Sequence, residues 1–333
     1  MMTIDDAIQN YLRDLAVGQS SQTVQTYSQG LERFKEYLAS LAHFPAAVSS
    51  LSVDDALECA KWLSEGRGDG GNLIAKSTLR TYLTCIAQFY SYLLREKMVE
   101  FSASDIERMR DAYAKYRRGF SRPLPKLPPE EAVTALLDAA RRVEEQPKRP
   151  RLELARLRNI AMLQALRTSG MRVGELVGLK RDDLDYRLHT ARVTGKGNKQ
   201  RIVYFDDAAW NAIQAYLKAR GDGARGRALY QQPLFARHDR RASSKVLPLT
   251  TDTVRMVFNS LARAAGIQVA MTPHSLRHAF ATKVLEATGD LAVVQDMLGH
   301  SSPVTTRIYA KVSNKKMREA HHRAFNSSDE SDA

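Results

Sequence analysis

The stretch Met271-Thr272-Pro273-His274-Ser275-Leu276-Arg277-His278 decides how the C-terminal half of the chain is read. Thr272 suits a helix N-cap and Pro273 suits the first helical position. The helix so begun runs to about Thr288, with Gly289 as its stop. His274 and Arg277 are three residues apart and share a face of its first turn. That turn offers backbone N–H groups and the positive end of the helix dipole, both of which attract phosphate. Asp290 caps a following helix, Gly299 ends it, and His300 comes next. Ser302-Pro303 opens a further helix by the same logic, with Tyr309 on its second turn. Short helices joined by tight turns thus point several polar groups at one place.

Two more segments upstream belong with this one. In Thr168-Ser169-Gly170-Met171-Arg172-Val173-Gly174-Glu175-Leu176, Gly170 breaks one helix and Arg172 opens the next. Glu175, three residues on, is placed to pair with Arg172 and fix its orientation. The strands Thr190–Val193 and Gln200–Phe205 flank Thr194-Gly195-Lys196-Gly197-Asn198-Lys199, a turn by its glycines and asparagine. Lys196 therefore sits at the tip of a β-hairpin, from which its ammonium reaches into a site.

The residue types fit attack on a phosphodiester. The transition state gathers charge on the non-bridging oxygens, which two guanidinium forks, Arg172 and Arg277, hold without ever losing their own charge. His300 donates one more hydrogen bond. A phenol with an ordinary pKa near 10 needs a base or a positive field to become a nucleophile, and His274 is placed to exchange the Tyr309 proton. The departing 5′-oxygen needs an acid, which suits Lys196. The product is a covalent 3′-phosphotyrosine, and no metal or nucleotide cofactor is needed. A zinc reading of His274, His278 and His300 lacks the glutamate general base, because position 275 is Ser. Taken singly, each of these residues reads as an ordinary surface or core position; the set carries the argument.

Charge divides the chain. Of the 50 Lys and Arg, 15 lie in residues 1–124, as do 15 of the 37 Asp and Glu, so the whole +13 excess lies beyond residue 124. A polyanionic partner suits that half. No apolar run is long enough to span a bilayer, and the acidic start Met1-Met2-Thr3-Ile4-Asp5-Asp6 has no signal-peptide core, so a cytoplasmic location is expected. Cys59 and Cys85 sit in apolar helical patterns and read as buried thiols.

Apolar spacing predicts amphipathic helices over 4–16, 23–41, 53–64 and about 77–97, which make a four-helix bundle whose aromatic stripe is core. Residues 117–129 read as a basic, Pro-rich linker, whose Arg117, Arg118, Arg122 and Lys126 are candidates for tracking a phosphate backbone. Lys199 and Arg201 on the hairpin are further candidates for contact with DNA. Helices follow near 129–145 and 151–168, and the Gly/Arg-rich residues 221–247 read as a long surface insertion. The expected fold is mainly α with a small β-hairpin or sheet (α+β). Its domains are an N-terminal helical bundle at 1–116, the linker, a second domain at 130–326 and a disordered acidic tail at 327–333.

The segments Ser169 to Leu176, Gly195 to Arg201, His274 to Thr282, Leu298-Gly299-His300 and Tyr309 resemble the tyrosine recombinases, or phage integrase family, and look nearest its Xer-like branch. All six family positions, Arg172, Lys196, His274, Arg277, His300 and Tyr309, hold the expected residue type in order. The resemblance implies a core-binding, SAM-like N-terminal domain and a catalytic domain clamping double-stranded DNA. It also implies strand exchange through a Holliday junction in a homo-tetramer, and leaves open a second recombinase or accessory protein as a further partner. The last helix, about Asn314 to Phe325, would then dock on a neighbouring protomer. Two other readings stay open: a catalytically silent DNA-binding regulator on the same fold, and strand relaxation of the type IB topoisomerase kind. The insertion at 221–247 and the extended loop at 64–72 leave integration, excision and dimer resolution undecided.

Overall fold

The computed structural model describes residues 2–41, 47–66, 74–117, 128–142, 149–195, 198–222, 226–242 and 246–299. The chain divides into two compact units, Met1–Pro123 and Leu124–Ala333.

Five helices make up the first unit among the described residues: α1 (Ile4–Gly18), α2 (Ser21–Ala39), α3 (Val53–Ser64), α4 (Lys76–Arg95) and α5 (Ala103–Arg117). Side-chain caps start four of them: Thr3, Ser52 and Ser102 form capping boxes with Asp6, Asp55 and Asp105, and Ser20 accepts from the Thr23 amide. The bundle therefore holds one helix more than the four expected. α5 carries Ile106, Met109 and Tyr113 as its buried positions amid many charges, too narrow a stripe to announce a core helix. The aromatic stripe is core: Tyr90 and Tyr113 are fully buried, and each phenol donates to a backbone carbonyl, Ser52 O at 3.0 Å and Ala56 O at 2.9 Å. Cys59 and Cys85 are buried free thiols, and burial pushes the Cys85 thiol up to about 12. Gly30 lets α2 approach α4; a Cβ there would lie 2.9 Å from that of Cys85.

The second unit is built around α7 (Pro150–Ser169), preceded by α6 (Glu130–Arg142). After α7 come α8 (Val173–Gly178) and an antiparallel sheet in the order β1 (Leu184–Asp185), β2 (Thr190–Thr194), β3 (Gln200–Tyr204). Arg192 pairs with Ile202 and Thr194 with Gln200. Then follow α9 (Asp207–Arg220), α10 (Arg227–Tyr230), α11 (Thr251–Ala264), α12 (Pro273–Thr288) and α13 (Leu291–Leu298). α7 packs against α6, α9 and α12, and its Ala161 to Leu166 run is buried on all sides. That all-round burial explains why its apolar residues show no helical stripe.

The segment 221–247 is not wholly the surface insertion expected: among its described residues a central run is interior. Leu234 and Phe235 are fully buried in the same core as α7 and α9, and Ala236 beside them is buried too. An internal polar network ties this segment down. Arg220 donates to Pro233 O at 3.0 Å, Leu234 O at 2.8 Å and the Asp222 carboxylate. Arg158 reaches Ala236 O at 3.2 Å, and the Tyr216 hydroxyl lies 2.8 Å from His238 Nε2. The Gly/Arg-rich composition hid a short buried Leu-Phe-Ala run.

Burial, followed by the charges of Arg158 and Arg220, pushes His238 down to about 4 from its ordinary 6.5. Between those values the unfolded chain takes up a proton that the folded chain refuses, so stability declines as pH falls through that window and levels off below it. The melting temperature is expected to drop by roughly 5 °C over this range for that reason alone. A parallel titration of His238→Gln by thermal unfolding, showing a correspondingly smaller drop, checks the assignment.

Candidate active site

Helix punctuation positions the site. Gly170 closes α7 in the left-handed conformation at φ 59°, and two residues later Arg172 is the N-cap of α8. Thr272 caps α12, accepting from the Ser275 amide, and Pro273 occupies its first position. Asp290 caps α13, and Gly299 ends it, again left-handed at φ 62°.

Arg277, in the second turn of α12, is only 2% exposed. Its Nη1 donates to Gly170 O and its Nη2 to Leu298 O at 2.8 Å. One guanidinium thus joins the end of α7 to the end of α13. Gly170 has no room for a side chain, because a Cβ would meet the Phe280 ring at 2.3 Å. His274, exposed in the first turn of the same helix, stands edge-on to His278 with ring centroids 4.2 Å apart.

Arg172 donates its backbone N–H to Glu175 Oε2 at 2.7 Å and its Nη1 to Glu175 Oε1 at 2.9 Å. The expected pair is formed, and 43% of the Arg172 side chain remains exposed. A second arginine completes it. Arg201, expected to contact DNA, instead turns its guanidinium inward and forks onto Glu175 with two bonds of 2.8 Å. Its Nε donates to Met297 O at 3.1 Å. Strand alternation is the signal that finds it: Arg201 shares the inward face of β3 with Val203, while Ile202 and Tyr204 face outward. Lys199 is exposed, and its carbonyl accepts from Gly195 N–H at 2.8 Å. A Cβ on Gly195 would lie 3.3 Å from Glu175 Oε1 and 4.0 Å from Arg172 Nη1, so the base of the hairpin abuts this pair.

Burial pushes the Glu175 carboxyl up, but hydrogen bonds from Arg201 and Arg172, with the Arg201 charge, outweigh it and hold the group below its ordinary 4.5. The carboxylate is therefore ionised wherever the protein works. Lys196, His300, Tyr309, Arg118, Arg122 and Lys126 lie outside the described residues, as do the 314–325 segment and the acidic tail, and so does the side chain of Arg117. The structure therefore brings Arg172, Glu175, Arg201 and Arg277 onto a frame formed by the ends of α7 and α13. His274 lies one turn from Arg277.

Residues 129–316 match the phage integrase family, and residues 8–97 match its N-terminal SAM-like domain. The chain belongs to the phage integrase family of tyrosine recombinases. Its relatives include the tyrosine recombinase XerD of Halalkalibacterium halodurans, 32% identical over 96% of this chain and 98% of that one. XerD of Mycobacterium tuberculosis is 33% identical over 97% and 100%. The fold is shared with the integrase of transposon Tn1549 solved with transposon right end DNA, at a TM-score of 0.67 and 18% identity over 97% of this chain and 99% of that one. The recombinase is thus of the Xer-like, site-specific kind, an enzyme of DNA strand exchange.

Two outcomes follow from the geometry of this recombinase. Gly170→Ala is expected to cost about 2–4 kcal/mol, the left-handed conformation adding to the clash with Phe280, as read by urea unfolding. Glu175→Gln is expected to cost about 2–3 kcal/mol at neutral pH, since it leaves two arginines short of their carboxylate. The sign follows from the lowered pKa: the Glu175 contribution is full above 4.5 and is lost as pH falls through its lower folded value. The difference between wild type and Glu175→Gln should therefore shrink when the unfolding series is repeated in acid.

Proposed function

We propose that the recombinase cuts and rejoins each strand through Tyr309, with Arg172 and Arg277 holding the non-bridging oxygens of the scissile phosphate. His300 donates a further hydrogen bond to those oxygens. His274 takes the phenol proton, and Lys196 protonates the departing 5′-oxygen. The intermediate is a 3′-phosphotyrosine whose bond preserves the energy of the phosphodiester, so that rejoining needs no nucleotide. The observation that carries this reading is the Arg277 fork between Gly170 and Leu298. It fixes one guanidinium two residues from Arg172 in the chain and two residues from His300.

Double-stranded DNA is the partner in this reading, and a homo-tetramer passing through a Holliday junction is the working assembly, located in the cytoplasm. The basic linker residues Arg117, Arg118, Arg122 and Lys126, with Lys199 on the hairpin, supply phosphate contacts. The neutral first unit also offers a surface. No Asp or Glu occurs in α4 or in residues 15–31, while Asp and Glu crowd α1, α3 and α5. Exposed Gln22, Gln25 and Gln29 recur along α2, as do Ser77, Arg80, Thr81 and Gln88 along α4. Such side chains read base edges and phosphates without repelling them. The domain division of this reading is a bundle at 1–116, the linker at 117–129 and the catalytic domain at 130–326. Among the described residues no helix is long and apolar enough to cross a membrane.

The test is a nicked target duplex that traps the cleaved strand. Wild type is expected to give an SDS-stable protein–DNA band that survives EDTA and is absent from Tyr309→Phe. A band that persists in Tyr309→Phe sinks the nucleophile assignment, and loss of the wild-type band in EDTA points to a metal. Arg172→Ala and Arg277→Ala are expected to lose cleavage while keeping most of their affinity for DNA, because other basic residues supply that term.

A further inference from the structure

Arg201 uses all three of its guanidinium nitrogens inside the protein, and its side chain is only 12% exposed. Two of those bonds neutralise Glu175 in a parallel fork, the strongest geometry open to an arginine and a carboxylate. Glu175, 4% exposed, also holds Arg172 through both its backbone N–H and its Nη1. One carboxylate thus serves two cations, and the deeper cation takes it bidentately. The third bond, to Met297 O, ties the same side chain to the last turn of α13. Gly299 leaves room for it: a Cβ there would lie 2.9 Å from Arg201 Cδ. On the strand, Arg201 pairs with Val193, two residues before Gly195.

We infer that Arg201 is a positioning residue of the cleavage reaction, joining β3, Glu175 and the end of α13 so that Arg172 is oriented by Glu175 without being neutralised by it. With Arg201 in place, the Glu175 charge is already matched, and the exposed part of Arg172 stays available to a phosphate. Without it, the buried carboxylate has Arg172 as its remaining partner in this set and draws that guanidinium away from DNA. The hairpin also loses its tie to α13. Arg201 touches no DNA in this arrangement; it acts through Arg172. The inference rests on the cleavage reading above.

The test compares wild type, Arg201→Lys and Arg201→Gln on the same nicked duplex. Three quantities are read: the dissociation constant across a salt series, the single-turnover cleavage rate at saturating DNA, and the melting temperature. The inference expects affinity within about twofold of wild type and an unchanged salt slope, because no phosphate contact is removed. Saturated cleavage is expected to fall about 100-fold in Arg201→Gln, the usual cost of a misplaced catalytic group. Arg201→Lys is expected to restore part of that rate, since it keeps the charge but not the fork. A slope shallower by about 0.9, with weaker binding and wild-type cleavage at saturation, makes Arg201 a phosphate contact and overturns the inference. Wild-type cleavage at saturation with only a lower melting temperature overturns it equally. If Arg201→Gln does not fold, Arg201→Lys, read below its melting temperature, decides by the same criteria. A wild type that forms no covalent band refutes the cleavage reading instead, a result the variants cannot mimic.

Discussion

The Arg277 guanidinium is the tie on which the second unit's site depends. A buried cation is costly unless its N–H groups find acceptors. Here the acceptors are the carbonyls of Gly170 and Leu298, at the C-terminal ends of α7 and α13. Those are the carbonyls a helix leaves without an internal partner, and they lie at the negative end of its dipole. The same contact therefore satisfies two helix ends and offsets part of the cost of burying the charge. Both helices stop in left-handed glycines, which turn the chain sharply enough for one side chain to reach both. A lysine has no fork with which to hold two divergent carbonyls, so the position calls for arginine on structural as well as chemical grounds.

Glu175 answers the complementary problem. Arg172 and Arg201 both bond this one carboxylate, while Arg277 sits on the frame of helix ends that Arg201 also touches through Met297 O. Two guanidinium groups on one carboxylate leave that trio net positive, which suits an anion that gains charge on the way to its transition state. Had each arginine its own carboxylate, the field would vanish. Had none, the cluster would repel itself. The bidentate share taken by Arg201 lets the carboxylate steady Arg172 while leaving nearly half of that side chain exposed.

What could be read from the chain follows the range of the forces involved. The Thr272 cap, Pro273, the Gly170, Gly289 and Gly299 stops and the Arg172–Glu175 pair all act within four residues, and each is legible in the sequence and present in the fold. The inward turn of Arg201 is not legible locally, because its partners, Glu175 and Met297, lie 26 and 96 residues away. The fifth helix of the bundle was missed because three apolar contacts sufficed to bury it. The 221–247 segment reads as surface because its Gly and Arg residues outnumber Leu234 and Phe235, and the arginine that ties it down, Arg220, is an interior residue of α9. Strand β1 is two residues long, too short for any period to show.

The same geometry links binding to stability. Arg172 and Arg201 share the single charge of Glu175, so on the proposed reading a phosphate beside the exposed part of Arg172 adds a second negative charge to that trio. A ligand bound by the folded form alone raises stability in proportion to the logarithm of its concentration. On that reading DNA acts as substrate and stabilises the fold at once. That places the cost of preorganisation in the free protein, where the arginines are held close before any phosphate arrives. It also places the gain in the bound state, where the reaction needs the cations already fixed.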